Sequence, residues 1–286
     1  DPIVGAIENI GWLAVHVASN DVAASGIPPR WLLILVLVPN QKDELLLTHI
    51  MRDARRAADE IGASIIGGHV GYSAGLSRPL VAVTALGTAS GRRPVLTGGA
   101  QVGDYLLVTK GVALEGTAIL AHDFVDVAQE RGLDEDDLAA ARQLMDEVSV
   151  VPEALAIADA GATAMHDVTR GGVLEALLEI AHLSQTAIEV EVNQLPSRPV
   201  VSRFAAAFEF DPLRMISSGS LVATIPPEQV EATRQALTAL ETPYAFVGRV
   251  KEGTGVYVSR DGERRHHTKI RCEEDELARM WSLYPR

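Results

Sequence analysis

His166-Asp167-Val168-Thr169-Arg170-Gly171-Gly172 decides the reading of this chain. A short strand leads into the stretch and an apolar-periodic helix, Gly171 to Ser184, leads out of it, which makes it a strand-to-helix turn of an α/β protein. A helix that begins in Thr-Arg-Gly-Gly offers unpaired backbone N–H groups and the positive end of the helix dipole, with no glycine side chain to hold an anion away. Thr169, Arg170, Gly171 and Gly172 are therefore candidates for cradling a phosphate. Asp167 would not greet a bare anion, but it suits the Mg2+ that accompanies a nucleotide. The plainer alternative makes Thr169 an N-cap and Asp167 a turn former, and these residues alone leave the two readings level.

Upstream, Trp31 to Val38 is an uninterrupted apolar run, predicted to be a buried strand. Before it, Ile7, Ile10, Leu13, Ala14, Val17 and Ala18 recur at helical spacing, predicting a helix that reaches about Ala24 and stops at Gly26-Ile27-Pro28-Pro29. After it come a helix from about Lys42 to Ile61 and strands at Ala63 to Ile66 and Pro79 to Leu86. Residues 88 to 104 hold Gly91, Pro94, Gly98, Gly99 and Gly103 and read as a linker, dividing 1–97 from 103–286. In the second part the pattern predicts strands at Tyr105 to Thr109, Ile188 to Val192, Leu221 to Ile225, Ala245 to Val250 and Val256 to Ser259. Helices are predicted at about Gly116 to Arg131, Glu135 to Val148, Pro152 to Asp159, Pro199 to Phe208, Pro227 to Leu240 and Glu273 to Leu283. The chain opens on Asp1 rather than Met and reads at once as structured, so an upstream segment is expected.

Its 286 residues are 47% hydrophobic, enough for a core in each part. A single cysteine, Cys272, excludes an internal disulfide and a cysteine-rich metal site and fits a reducing compartment, with the cytosol as default. The longest apolar run is far shorter than the roughly 20 residues of a membrane-spanning helix, and no secretion signal opens the chain, so no membrane partner is expected. Twenty-five basic against 38 acidic side chains give a formal charge of −13, which repels a nucleic-acid backbone. The one basic cluster, Arg264, Arg265, His266, His267 and Lys269, reads as a solvated strand or loop. An acidic chain that handles a polyanion must use backbone donors, a few placed cations, or metal ions.

Four further candidates stand along the chain. Asn20-Asp21 interrupts an otherwise apolar helix face before small residues, though Asp21 also reads as a helix end facing water. Gly67-Gly68-His69 follows a short strand, where active-site loops often sit in α/β proteins, so His69 is a candidate base or metal ligand or else a polar turn residue. Lys110-Gly111 and Glu115-Gly116-Thr117 flank a strand-to-helix turn, or are turn punctuation. Asp1 is locally indistinguishable from a chain end. No Walker lysine loop, Rossmann glycine fingerprint, His-Glu-x-x-His or Gly-x-Ser-x-Gly elbow occurs, and nothing near Cys272 would lower its pKa.

Taken in order, Asp1-Pro-Ile-Val, NDVAASGIPP from Asn20, IIGGH at 65 to 69, GDYLLVTKGVALEGTAILA from Gly103, HDVTRGG and SSGSLVAT from Ser217 resemble the aminoimidazole-ribonucleotide-synthetase (PurM-like) superfamily over nearly the whole chain. That superfamily also holds thiamine-monophosphate kinase, selenophosphate synthetase, formylglycinamidine ribonucleotide synthetase and HypE, and the HypE-like hydrogenase-maturation branch is the most similar. The resemblance implies an N-terminal α/β domain whose strands pair across a homodimer as a β-barrel, with Trp31 to Val38 contributing, and a C-terminal α+β domain. It implies ATP between the domains and phosphoryl transfer from it to an oxygen of a small acceptor. Asp1, Asp21 and Asp167 would be the magnesium carboxylates, Asp167 and His69 catalytic positions, and Asn20, Lys110, Gly111, Thr169, Arg170, Gly171, Gly172, Ser218 and Gly219 cofactor contacts. Alternatives are a kinase like that for thiamine monophosphate and a non-catalytic nucleotide-binding protein with a maturation-factor partner. The sequence departs from many relatives at His69, where they carry an acidic residue. It also ends Ser282-Leu283-Tyr284-Pro285-Arg286 where the hydrogenase-maturation enzymes end in a cysteine that takes a carbamoyl group, so that chemistry is not expected here.

Overall fold

The structure, a computed structural model, describes residues 9–40, 43–271 and 274–284. Asp1 and Cys272 lie outside the described residues. Two sheets organise the chain. The first holds β1 (Trp31–Val38) between β2 (Ser64–Tyr72), which runs parallel to it, and β3 (Leu80–Leu86), which runs antiparallel. Leu32, Ile34, Val36 and Val38 alternate along β1 into the core, against α1 (Ile10–Ala24) and α2 (Glu44–Glu60). The other face carries Trp31, Leu33, Leu80 and Leu86, each about 40% exposed although large and apolar. No closed barrel forms within one chain, and this sheet stays open on that face.

The second sheet has seven strands: β4 (Tyr105–Thr109), β5 (Ala164–Asp167), β6 (Ala187–Glu191), β7 (Leu221–Ile225), β8 (Tyr244–Lys251), β9 (Gly255–Arg260) and β10 (Glu263–His267). Their spatial order is β10-β9-β6-β8-β4-β7-β5, antiparallel except where β9 meets β6. The remaining helices are α3 (Leu114–Asp123), α4 (Val125–Glu130), α5 (Glu135–Gln143), α6 (Val151–Asp159), α7 (Gly172–Ser184), α8 (Pro199–Phe208), α9 (Val230–Ala239) and α10 (Glu276–Leu283). The core under the small sheet continues without a break into α3, α5 and α8, and α1 touches both α6 and β5. Nine of the fifteen residues of α1 are buried, so this helix is a wedge between the two halves.

Three sequence expectations change. The Gly67-Gly68-His69 turn is the middle of β2: Gly67 and Gly68 pair with Leu33 and Ile34, and Gly68 takes a φ of 140° so close to Ile34 that a Cβ would enter the Ile34 carbonyl. Glycines that read as a loop signal are here the means by which two strands meet. The helix expected from Gly116 to Arg131 breaks at Phe124, which leaves helical geometry to bury its ring against Trp281. Residues 88 to 104 do not hang free: Val95 N donates to Ser25 O, Arg92 pairs with Asp159 at 2.5 Å, and Ala100 N donates to Ser184 Oγ. The basic stretch is a strand, β10, as far as His267.

Candidate active site

Asp21 and Asp167 stand 146 positions apart in sequence and meet in space. Asp21 lies near the end of α1, and Asp167 is the last residue of β5, buried to 5% exposure at the sheet edge that α1 touches. Burial, then the negative charge of Asp21, push the Asp167 carboxyl up to about 6. Asp21 keeps an exposed side chain, but protein displaces part of its hydration and raises its carboxyl too, against the opposing pull of His166.

His166 is the counter-charge. Its Nδ1 faces the Asp167 carbonyl oxygen at 2.6 Å and its Nε2 faces Glu179 Oε2 of α7 at 2.9 Å. Both partners only accept, so both ring nitrogens are best placed to donate, which is the imidazolium pattern. Burial alone would lower its pKa; Glu179 and Asp167 together raise it, while the hydrogen bond from His166 lowers Glu179. His166 was quoted in the motif without a role, and Glu179 carried no signal beyond a charge on an amphipathic helix.

A buried aspartate raised further by the charge of a second one marks a place short of positive charge. A hard divalent ion suits such an oxygen pair, and Mg2+ in particular binds through one or two carboxylates while keeping waters and phosphate oxygens. The donor set therefore fits Mg2+. Among the described residues no third His, Cys, Asp or Glu completes a protein cage.

The other expected contacts have found partners within the protein. Asn20 is buried, its amide donating to Val148 O and accepting from Val150 N, both at 2.8 Å. Lys110 donates to Glu147 O at 3.0 Å and to Ser149 O, and its ammonium sits 2.6 Å from buried Glu153. Both side chains grip one loop, 147–150, from the two halves of the molecule. Gly219 presses on the Glu147 carbonyl, and Ser218 N donates to buried Glu115 at 3.3 Å. The Gly111 carbonyl accepts from Ser220 Oγ at 2.7 Å. Asn20, Lys110, Gly111, Ser218 and Gly219, expected as cofactor contacts, are thus each engaged with neighbouring protein groups.

The turn expected to cradle phosphate is likewise hydrogen-bonded within the protein. Gly171 N donates to Asp275 Oδ2 at 2.8 Å, Gly172 N to Thr169 O at 3.1 Å, and Leu174 N to Leu213 O at 3.0 Å. Asp275 caps two helices at once, since its Oδ1 accepts from Leu277 N and Ala278 N at the start of α10. The two glycines are needed for packing: a Cβ on Gly172 would enter the Leu213 carbonyl, and one on Gly171 would meet Glu175. Thr169 is half-buried and Arg170 exposed at the mouth of this turn. His69 lies on β2 opposite Leu35, and it is not among the charges acting on Asp21 or Asp167.

The fold has matches among known proteins. The model for the AIR synthase related protein, N-terminal domain, matches residues 2–89, and that for the AIR synthase related protein, C-terminal domain, matches residues 101–261. The chain belongs to the AIR synthase related protein family. Within it the chain is HypE-like. It is 29% identical to carbamoyl dehydratase HypE of Rhodobacter capsulatus over 81% of its length and 66% of the relative's. It is 30% identical to thiamine-monophosphate kinase of Halobacterium salinarum over 84% of its length and 76% of the relative's. The crystal structure of Escherichia coli HypE superposes with a TM-score of 0.82 at 24% identity, over 96% of this chain and 84% of that one. The chain spans about two thirds of the length of the HypE sequences it matches.

The geometry of the pair and of the Asn20 clamp leads to two predictions. Asp167 has a folded pKa near 6 against 3.8 without the fold, so the protonated form is favoured by folding. Its contribution to stability is intact below pH 4 and is lost as pH rises through 6, a cost of about 3 kcal/mol at pH 8 in metal-free protein. Asp167→Asn is expected to raise the denaturant midpoint at pH 8 and to change it far less at pH 4.5; an equal effect at both would contradict the coupled pair. Asn20→Ala orphans two buried backbone groups and is expected to cost about 2–4 kcal/mol in urea unfolding, whereas an unchanged midpoint would remove Asn20 from the clamp.

Proposed function

We propose that this chain is an ATP-dependent phosphoryl-transfer enzyme that binds Mg2+ with ATP at Asp21 and Asp167 and activates an oxygen of a small acceptor. The observation that carries the reading is the pair itself, two carboxylates from opposite halves of the chain brought together without a counter-ion of their own beyond His166. Family relatives support it: carbamoyl dehydratase HypE and thiamine-monophosphate kinase are similar in sequence, and crystal structures of the fold include HypE in complex with ATP and a thiamine-monophosphate kinase complexed with AMPPCP and TMP. Mg2+ bound here would offset phosphate charge that an acidic protein cannot otherwise meet. Asp21 and Asp167 hold it, His166 fixes the Asp167 backbone and balances the pair, and Thr169 and Arg170 stand at the turn beside it. In the transfer, the bond from the γ-phosphorus to ADP breaks as one to the acceptor oxygen forms. A carboxylate or amide oxygen as acceptor has no proton to surrender.

Calorimetric titration of the full-length protein with a non-hydrolysable ATP analogue tests this. Binding is expected to require Mg2+ and to weaken at least tenfold, about 1.4 kcal/mol, in Asp167→Asn, a variant expected to be more stable than the wild type at the same pH. Metal-independent binding, or binding indifferent to the substitution, would refute the site. Tight binding without turnover of any acceptor, together with a stable maturation-factor partner, would move the chain to the non-catalytic reading.

The same proposal includes a homodimer. The open face of the small sheet presents Trp31, Leu33, Leu80 and Leu86 side by side, and a second copy laid against it would bury a patch that monomers rarely expose. His69 lies on this face. The expected mass in solution is twice the 30.5 kDa of the chain, falling to one copy in Leu35→Glu. A wild-type monomer in sedimentation would remove the dimer.

A further inference from the structure

On a chain of net charge −13, one depression is built almost wholly from positive groups. It has a volume of about 330 Å3 and lies where the end of β10 and the segment after it meet the loop before Met215. Its walls include Arg214, His266, His267, Lys269 and Arg271, with Glu274 the one carboxylate among the described residues lining it. Three permanent cations thus face one anion, and two imidazoles stand beside them.

The interior of the cluster is organised. Glu274 is held at 3.0 Å by Arg214 and also by Arg271, and these cations keep its carboxyl below the usual range, the hydrogen bond from Arg271 first. Lys269 has no ion pair among the described residues. The His266 ring is fixed by stacking on Tyr257 at 4.1 Å, nearly parallel, and its Nε2 donates to Thr254 O at 2.9 Å. His267 feels Arg214, Arg265 and His266 on the positive side and Asp211 and Glu274 on the negative; Asp211 is itself paired with Arg260 at 3.0 Å, and Glu274 with Arg214 and Arg271. Burial first, and then this excess of positive charge, lower its pKa. Glu274 is shared between Arg214 and Arg271, and Lys269 stands beside them without a carboxylate of its own among the described residues. A compact anion with several acceptor oxygens would suit Lys269 and the groups around it.

We infer that this pocket binds a small multivalent anion of the phosphate class, through Lys269, His267 and the guanidinium groups of Arg214 and Arg271. The site is distinct from the Asp21–Asp167 pair, whose residues do not line it, and it does not depend on the nucleotide reading. A pocket of this size takes a free phosphate or the phosphoryl group of a small metabolite, and the shared chemistry is a dianion with tetrahedral oxygens.

The test uses inorganic phosphate on the full-length protein, without Mg2+ or nucleotide, followed through the imidazole resonances of all eight histidines. The expected result is that the His266 and His267 signals shift saturably, that the His267 pKa rises on binding, and that the His166 signal is unmoved. Lys269→Gln and His267→Gln, both at the rim, are each expected to weaken phosphate binding three- to tenfold with unchanged thermal unfolding in its absence. Shifts confined to other histidines, no saturable shift at millimolar phosphate, or unaltered affinity in both variants would overturn the site. Loss of the wild-type response to chloride at equal ionic strength would reduce it to general screening and overturn it likewise.

Discussion

Helix α1 is buried between the two sheets, and the geometry of the candidate site depends on how that wedge is locked. Asn20 supplies the lock from its own helix by closing two hydrogen bonds on the 147–150 loop, and Lys110 holds the same loop from the end of β4. A buried amide with both ends satisfied tolerates little rotation or sliding, because either would strand a backbone group without water to replace the bond. Asp21 follows Asn20 by one residue, about 100° further round the helix. Once Asn20 is fixed toward the loop, Asp21 is delivered to the edge of the larger sheet, where β5 ends in Asp167. The aspartate pair is thus a consequence of the clamp, in which Asn20 positions the Asp21 carboxylate beside it.

Much of the architecture was legible from periodicity alone. Trp31–Val38, Tyr105–Thr109, Pro199–Phe208 and Leu221–Ile225 fall where the apolar pattern places them, because each buries a face that the pattern marks. The failures share a cause, which is that glycine and lone polar residues have local and tertiary uses that look alike. Gly67-Gly68 reads as a turn and is a strand that another strand approaches closely. Phe124 sits in a helical pattern but breaks it, since its ring finds Trp281 from the other end of the chain. At the site, Asp21 and Asp167 were visible as carboxylates in recurring phrases, and Lys110 was visible as a cation beside a glycine. That Lys110 faces Glu153 while Asp167 faces Asp21 depends on the packing of α6 and α1, which no spacing encodes.

The turn at Thr169–Gly172 shows how electrostatics sorts similar-looking anion sites. Its sequence has every property of a phosphate cradle, and the fold has used those properties on its own carboxylate. Asp275 offers the helix dipole a negative charge and two oxygens, and in the same contact it starts α10, so one side chain stabilises two helix ends. A phosphate at Gly171 would have to displace Asp275, release the tail helix and settle beside Glu115, whose carboxyl burial already pushes up and the charge of Asp275 raises further. Each of those steps opposes binding there. An acidic chain that has filled its best helix terminus internally must meet an outside polyanion through something positive at its rim. In this molecule the rim positions are the proposed metal site at Asp21 and Asp167, the exposed Arg170, and the guanidinium and imidazole groups gathered at and after the end of β10. The family resemblance marks the segments, and their hydrogen bonding separates the residues that hold the fold from those left facing outward.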